Sequence, residues 1–317
     1  MTENNTNSIS AMELSEGFIR TTVIPDAEEN LPELFPFMAL GLVGDGSECF
    51  GYDDKISRDH DWGIDFYIWV PKDKSSAISS IRKWKENIFV KYWDYLPVQH
   101  KSAYGVHRDV MTINSFYSRL TGFDEGPKTY QEYLNTAEER LFLATNGKVF
   151  VDEKGDFSAI RRRLQLGFPN DIRLYKIAID CMMLAQTGQY NLKRCVARGD
   201  DLARLDTLAR FIRYVASILC HLKNRYRPYY KWLYRFALEE ERELQTLCRQ
   251  LSYIQGEDFN LLEAERLINE ILHIISIYLK LDDLTDYEGE YFSGHGESVM
   301  AKIKDEEIRK MAPYQIG

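Results

Sequence analysis

"GLVGDGSECFGYDDKISRDHDWGIDFYIWV" (residues 41–70) contains a turn of small residues, eleven intervening residues, and then two aspartates flanking a histidine ahead of an apolar run. The preceding stretch "FMALGLVG" (37–44) has the apolar, β-branched and glycine content of a buried strand that ends in a turn. That turn, Gly44-Asp45-Gly46-Ser47, presents backbone N–H groups where no bulky side chain blocks approach, a concavity suited to phosphate oxygens. Ser47 adds a hydroxyl. The stretch "WGIDFYIWV" (62–70) reads as a second strand, entered through Asp59-His60-Asp61. Residues two apart on a strand share a face, so the expectation is that Asp59 and Asp61 point together and His60 points away. Two such carboxylates repel each other unless a proton or cation intervenes, and hard divalent cations such as Mg²⁺ prefer carboxylate oxygen. The pair therefore predicts a metal site.

Outward from this segment, the order is that of a small domain mixing helices and strands. An amphipathic helix is expected over about residues 12–36, broken near Pro25, then the two strands, a helix over about 74–92 and a β-like stretch "AYGVHRDVMTI" (103–113). Near residue 155 the pattern changes. "ATNGKVFVDEKGDFS" (144–158) has the composition of a connection, and four long stretches follow in which apolar residues return every three or four positions. The expected class is α+β, with a small mixed-sheet domain over residues 1–155 and a helical bundle over 156–317.

The 317 residues, 44% of them apolar and 13% aromatic, suffice for two cores. The opening "MTENNTNSIS" lacks the basic start and apolar stretch of a leader, and no apolar run approaches the roughly 18 residues of a membrane span. Five scattered cysteines without C-x-x-C spacing argue against a disulfide framework and for a reducing, cytoplasmic setting. The net charge of -9 is unevenly spread. Residues 161–235 hold 16 basic against 5 acidic residues, a local +11, while each flanking segment stands at -10. Such a segment pairs with acidic neighbours, or faces a polyphosphate or RNA.

Gly46-Ser47 and Asp59-x-Asp61 at this spacing resemble the signature of the polymerase-beta-like nucleotidyltransferase superfamily. Together with "AQTGQYNLKRCVARGD" (185–200) and "NRYRPYYKWLYR" (224–235), the stretch is similar to an uncharacterised bacterial family that joins such a catalytic domain to a helical C-terminal domain. The extra residue between Ser57 and Asp59 departs from many members. The resemblance implies a transferase that moves a nucleoside monophosphate from a nucleoside triphosphate, ATP among the candidates, to a hydroxyl acceptor with release of pyrophosphate. It implies that the Gly46-Ser47 turn holds the outer phosphates and that Asp59, Asp61 and a third carboxylate bind two Mg²⁺ ions about 4 Å apart. Asp109 is chosen as the third carboxylate because it is the only acid in the later β-like stretch. Asp65 competes, but on a continuous strand it would lie roughly 13 Å beyond Asp61.

Arg58, Tyr230 and Lys231 are the remaining candidates: Arg58 for a phosphate, Tyr230 for stacking on the base, and Lys231 for the triphosphate, the last two following Pro228 at a helix start. Each also has an ordinary reading, as a surface ion pair, interdomain packing or a solvated charge. RNA as acceptor is compatible with the basic segment, but a compact triphosphate is favoured because the acidic flanks repel a long polyanion. Asp53-Asp54 reads as a solvated turn, and the acceptor stays open among a small molecule, a protein side chain and an RNA end. His100, His107, His221, His273 and His295 supply no metal-hydrolase set, and no Walker loop or dinucleotide fingerprint occurs. A non-catalytic nucleotide- or partner-binding module that keeps the fold is the alternative.

Overall fold

The computed structural model describes residues 9–54, 56–59, 63–92, 108–254 and 259–311; the side chains of residues 58 and 59 are outside the description. The chain divides into two compact units, Met1–Leu166 and Gly167–Gly317.

In the first unit, α1 (Ala11–Phe18) begins with a capping box in which Ser10 and Glu13 satisfy each other's backbone N–H groups. The helix does not break at Pro25. A wider π turn, Ile19–Val23, carries it into α2 (Ile24–Asn30) and takes up the interruption made by Pro25, which has no N–H to donate. Strand β1 (Ala39–Leu42) is followed by β2 (Tyr67–Val70), α3 (Ile78–Lys91), β3 (Val110–Thr112), α4 (Ile113–Thr121), α5 (Tyr130–Asn135), α6 (Glu138–Thr145), β4 (Lys148–Asp152) and α7 (Asp156–Gln165). The sheet runs β3-β2-β1-β4. It is mixed: β1 pairs antiparallel with β2 and β4, whereas β2 and β3 are parallel.

Strand alternation gives the sheet two buried faces. Leu40, Leu42, Phe66, Ile68 and Val70 form one core with Ile19, Val23 and Ala27 of the opening helix and with Ile81 and Ile88 of α3. On the other face Trp69, fully buried, stacks on Phe157 of α7 with ring centroids 3.9 Å apart, and Phe116 of α4 meets both edge-on or tilted. The indole needs Gly41 beneath it, since a Cβ there would lie 2.9 Å from the ring.

These contacts correct the expected layout. The segment read as a connection forms an edge strand, and Phe157 ties α7 to the sheet. The division therefore falls after Leu166 rather than at 155. The strand expected over 62–70 is ordered in pairing only from Tyr67, because β1 offers partners just from Ala39 to Gly41. Only Val110–Thr112 of the expected 103–113 stretch is a described strand.

The second unit is helical. It comprises α8 (Asn170–Leu184), a π segment Ala185–Asn191, α9 (Leu192–Ala197), α10 (Asp201–Leu222), α11 (Tyr230–Leu238), α12 (Arg242–Tyr253), α13 (Leu261–Leu281), α14 (Ser293–Ala301) and α15 (Glu306–Lys310). Gly167 and Phe168 belong to it because Tyr226 Oη donates to the Gly167 carbonyl at 3.0 Å and the Phe168 N–H donates to Asn224 Oδ1 at 3.0 Å. Between α8 and α10, buried Asp180 accepts from Ser217 Oγ at 2.8 Å and pairs with His221 Nδ1 at 2.6 Å. Residues 229–254, one of the four long stretches of helical apolar spacing, form two helices, α11 and α12. Among the described residues no helix is long and apolar enough to cross a membrane. Replacing Phe157 with Ala should remove the partner of Trp69 and cost about 3–5 kcal/mol, read as a fall in the urea midpoint.

Candidate functional site

The sheet's connectivity brings the C-terminal end of β1 beside the N-terminal ends of β2 and β3. At this end the turn after β1 is held by Asn146: the Gly44 N–H donates to its Oδ1 at 2.7 Å and its Nδ2 donates to the Gly44 carbonyl at 2.8 Å. Gly44 and Gly46 have φ of 92° and 106°, and a short 3₁₀ helix, Ser47–Phe50, follows. Gly46 is required twice over, because a Cβ would fall 2.3 Å from Glu48 Oε1. The N–H groups of Asp45, Gly46 and Ser47 make no hydrogen bond among the described residues.

Beneath the turn lies a buried charge cluster that sequence reasoning missed apart from Asp65. Arg108, two residues before β3, donates to the Asp45 carbonyl at 2.9 Å and to the Glu48 carboxylate, and its Nη1 lies 3.8 Å from Asp65 Oδ2. Burial alone would pull its pKa down. Its negative surroundings outweigh that and the net shift is upward, so the guanidinium stays charged. Lys85 of α3 donates to the Phe66 carbonyl at 2.6 Å and the Arg108 carbonyl at 2.5 Å, and reaches Asp65 Oδ1 at 3.3 Å. Burial lowers its pKa, with Asp65 opposing. Cys49, beside Arg108, has its thiol pushed up to about 12 by burial and is a neutral group at physiological pH. The signal for Lys85 was present in sequence: Ile81, Lys85 and Ile88 share the buried stripe of α3, so a lysine occupies a core position.

Asp109 contrasts with Asp65. Arg82 of α3 grips it through two parallel hydrogen bonds of 2.7 and 2.8 Å, and the Val110 N–H adds a third at 2.7 Å. Burial works to raise its pKa, but these hydrogen bonds prevail and hold it below the usual carboxylate value. The sign follows: this contribution to stability is present above the unfolded carboxylate pKa near 4 and fades as pH falls through the lower folded value. Both side chains of the pair are nearly half exposed, at 42% and 45%, so exchange of Arg82 for another cation costs little.

The other expected residues are distributed as follows. Asp59 and Arg58 close a 3₁₀ helix, Ile56–Asp59, so Asp59 is not on a strand and the shared-face argument for Asp59 and Asp61 does not hold; Asp61 lies outside the described residues. Nor is Asp65 in β2, which removes the strand-rise argument against it. Asp54, expected to be solvated, accepts from the Ile56 and Ser57 N–H groups at 3.0 Å and so caps that helix, while Asp53 accepts from the Ala11 N–H at 2.7 Å. Tyr230 and Lys231 belong to the helical unit and open α11. Tyr230 is 71% exposed, and Lys231 Nζ lies 5.0 Å above the Trp232 ring. Of the eight expected residues, the described side chains place Gly46, Ser47 and Asp109 at one end of the sheet. No cluster of three or more His, Cys, Asp or Glu able to hold a metal occurs among the described residues.

Comparison with known proteins gives a family match and a distant structural one. The family described as Domain of unknown function (DUF4037) matches residues 133–233, a span that starts in the first unit and ends in the second. No curated protein matches the sequence. Among solved structures, a nucleotidyltransferase-like protein from Exiguobacterium sibiricum 255-15 is similar at 12% identity and a TM-score of 0.35, over 86% of this chain and 81% of that one.

Replacing Arg108 with Met should leave Glu48 buried without its cation, Asp65 keeping Lys85, and destabilise the protein by about 3–5 kcal/mol. The loss is measured by denaturant unfolding, and it should shrink in the Arg108→Met, Glu48→Gln double variant.

Proposed function

We propose that the protein is a Mg²⁺-dependent nucleotidyltransferase that moves a nucleoside monophosphate from a nucleoside triphosphate to a hydroxyl acceptor. The observation that carries this reading is the tether from Arg108 to the Asp45 carbonyl, which sets a glycine turn, whose N–H groups have no partner among the described residues, beside the strand that begins after Asp109. In this reading the N–H groups of Gly46 and Ser47, with the Ser47 hydroxyl, bind the outer phosphates. Asp59, Asp61 and Asp109 would hold Mg²⁺, whose chemistry there is to neutralise phosphate charge and acidify the acceptor hydroxyl. Asp109 suits that task better than Asp65, because its Arg82 partner is exposed whereas Asp65 lies against buried Lys85 and against the Arg108 guanidinium that holds the turn. Asp109 Oδ then takes the acceptor proton, and pyrophosphate leaves in line. Arg58 and Lys231 are assigned to phosphates and Tyr230 to the base. Five free thiols accord with a reducing, cytoplasmic setting.

A non-catalytic binding module is the second reading, favoured by the capture of both Asp109 oxygens by Arg82. The readings separate in an assay of pyrophosphate release with each of the four ribonucleoside triphosphates, Mg²⁺ and a panel of hydroxyl acceptors or cell extract. The transferase releases pyrophosphate, and Asp61→Asn loses that release while its melting temperature is unchanged or raised by relief of carboxylate repulsion. Triphosphate binding without release across the panel supports the module.

The basic segment is tested separately. Lys231→Ala should weaken triphosphate binding and leave RNA affinity nearly unchanged. RNA affinity of the unaltered protein should change little between 50 and 200 mM salt, whereas six or more phosphate contacts would weaken it by about 10³-fold or more.

A further inference from the structure

A charged residue also sits on the inward stripe of α7. Phe157, Arg161 and Leu164 share one face of that helix, the two apolar residues fully buried and Arg161 partly so. Arg161 enters no ion pair among the described residues. Its Nη2 donates instead to three consecutive carbonyls, those of Thr145, Asn146 and Gly147, at 2.9, 2.8 and 2.8 Å, and Gln165 Nε2 adds a bond to the Thr145 carbonyl at 3.1 Å. These carbonyls end α6 and form the corner into β4, where a cation also meets the negative end of the helix dipole. The other side of the corner carries the glycine turn. The Asn146 side chain holds both backbone groups of Gly44, which is buried although Asp45 and Gly46 are exposed, so without Asn146 a buried N–H and carbonyl lose their partners. The Gly147 N–H donates to the Cys49 carbonyl at 3.0 Å, and at φ 64° Gly147 lies so close to β1 that a Cβ would fall 2.1 Å from the Leu42 carbonyl oxygen. The corner therefore grips the chain before and after the turn, and Arg161 grips the corner without bonding to residues 44–47.

We propose that Arg161 and Asn146 are positioning residues for phosphate binding at the Gly46-Ser47 turn: Arg161 fixes the corner, the corner fixes Gly44, and the N–H groups of Asp45, Gly46 and Ser47 stand in place before a phosphate arrives. Donors set in advance bind more tightly, because their ordering falls on folding rather than on binding. The role rests on the reading of this turn as the triphosphate site, and two measurements on the full chain keep the two claims apart. The first is hydrogen exchange without nucleotide: Arg161→Met and Asn146→Ala should each speed exchange at Gly44 about tenfold and leave β2 unchanged. The second is titration calorimetry with Mg²⁺ and no acceptor. Each variant should bind about tenfold more weakly whichever of the four ribonucleoside triphosphates the unaltered protein binds best, and should bind the corresponding monophosphate equally well. The double variant should lose no more than Asn146→Ala alone, since the two side chains act in series. Arg161→Lys, which keeps a cation for the carbonyls, should fall between the unaltered protein and Arg161→Met, and it carries the test if the Met variant does not fold. Unchanged exchange at Gly44 in the Arg161 variants, additive losses in the double variant, or equal losses for tri- and monophosphate overturn the proposal. If the unaltered protein binds no triphosphate, the role in binding falls with the nucleotide reading, while exchange at Gly44 still decides the link from Arg161 to the turn.

Discussion

The buried guanidinium of Arg108 carries more of the first unit's geometry than any other side chain at the sheet end. It meets the Asp45 carbonyl, the Glu48 carboxylate and Asp65, so one planar cation fixes the turn after β1, the 3₁₀ helix behind it and the entry to β2. Lys85 completes the arrangement by bonding the Arg108 carbonyl from below. Burial works to lower the pKa of both Arg108 and Lys85; the negative surroundings prevail at Arg108, which stays charged, whereas at Lys85 Asp65 only opposes the downward shift. Such a network adds little net stability over an apolar core of the same volume, but it specifies geometry, because each group left unpaired is costly.

The opposite face of the sheet answers a different constraint. Trp69 needs Gly41 below its ring and Phe157 above it, so a glycine in β1, an indole in β2 and a phenyl ring in α7 form one stack across residues distant in sequence. That stack is why the helix following the last strand belongs to the first unit, and why a boundary read from turn-forming residues alone comes eleven residues early.

How much could be read beforehand follows from which signals are local. The strand before the glycine turn, the helix of α3 and α13 from Leu261 to Leu281 were legible because hydrophobic period alone decides them. The extent of β2 was not, since an apolar run ends as a strand only where its partner ends, and the partner was β1. Edge strand β4 was hidden by the Gly and Asp residues around it, and the break between α11 and α12 by continuous apolar spacing. At the candidate site's end of the sheet, Gly46 and Ser47 stood out as motif residues and Asp109 as the only acid of a β-like stretch. Glu48, Arg108 and Arg82 were not, because a charged residue beside a motif reads as solvated until its partner from another element is known. Lys85 broke a periodic pattern, and that signal was left unused.

Charge balance bears on what the sheet end can hold. Glu48 and Asp65 are matched by Arg108 and Lys85, and Asp109 by Arg82. Asp45 contributes its carbonyl to Arg108, and no ion pair to its carboxylate occurs among the described residues. In sequence, Asp59 and Asp61 precede Tyr67, the first residue of β2, by eight and six positions, so the segment leading to this strand is acidic. On the proposed function the surplus is the point of the arrangement. An empty site of this kind is held under repulsion, and the exposed Asp109–Arg82 pair is the one interaction that can open at small cost when a cation enters, whereas opening the Arg108 cluster would unseat the turn that the triphosphate needs.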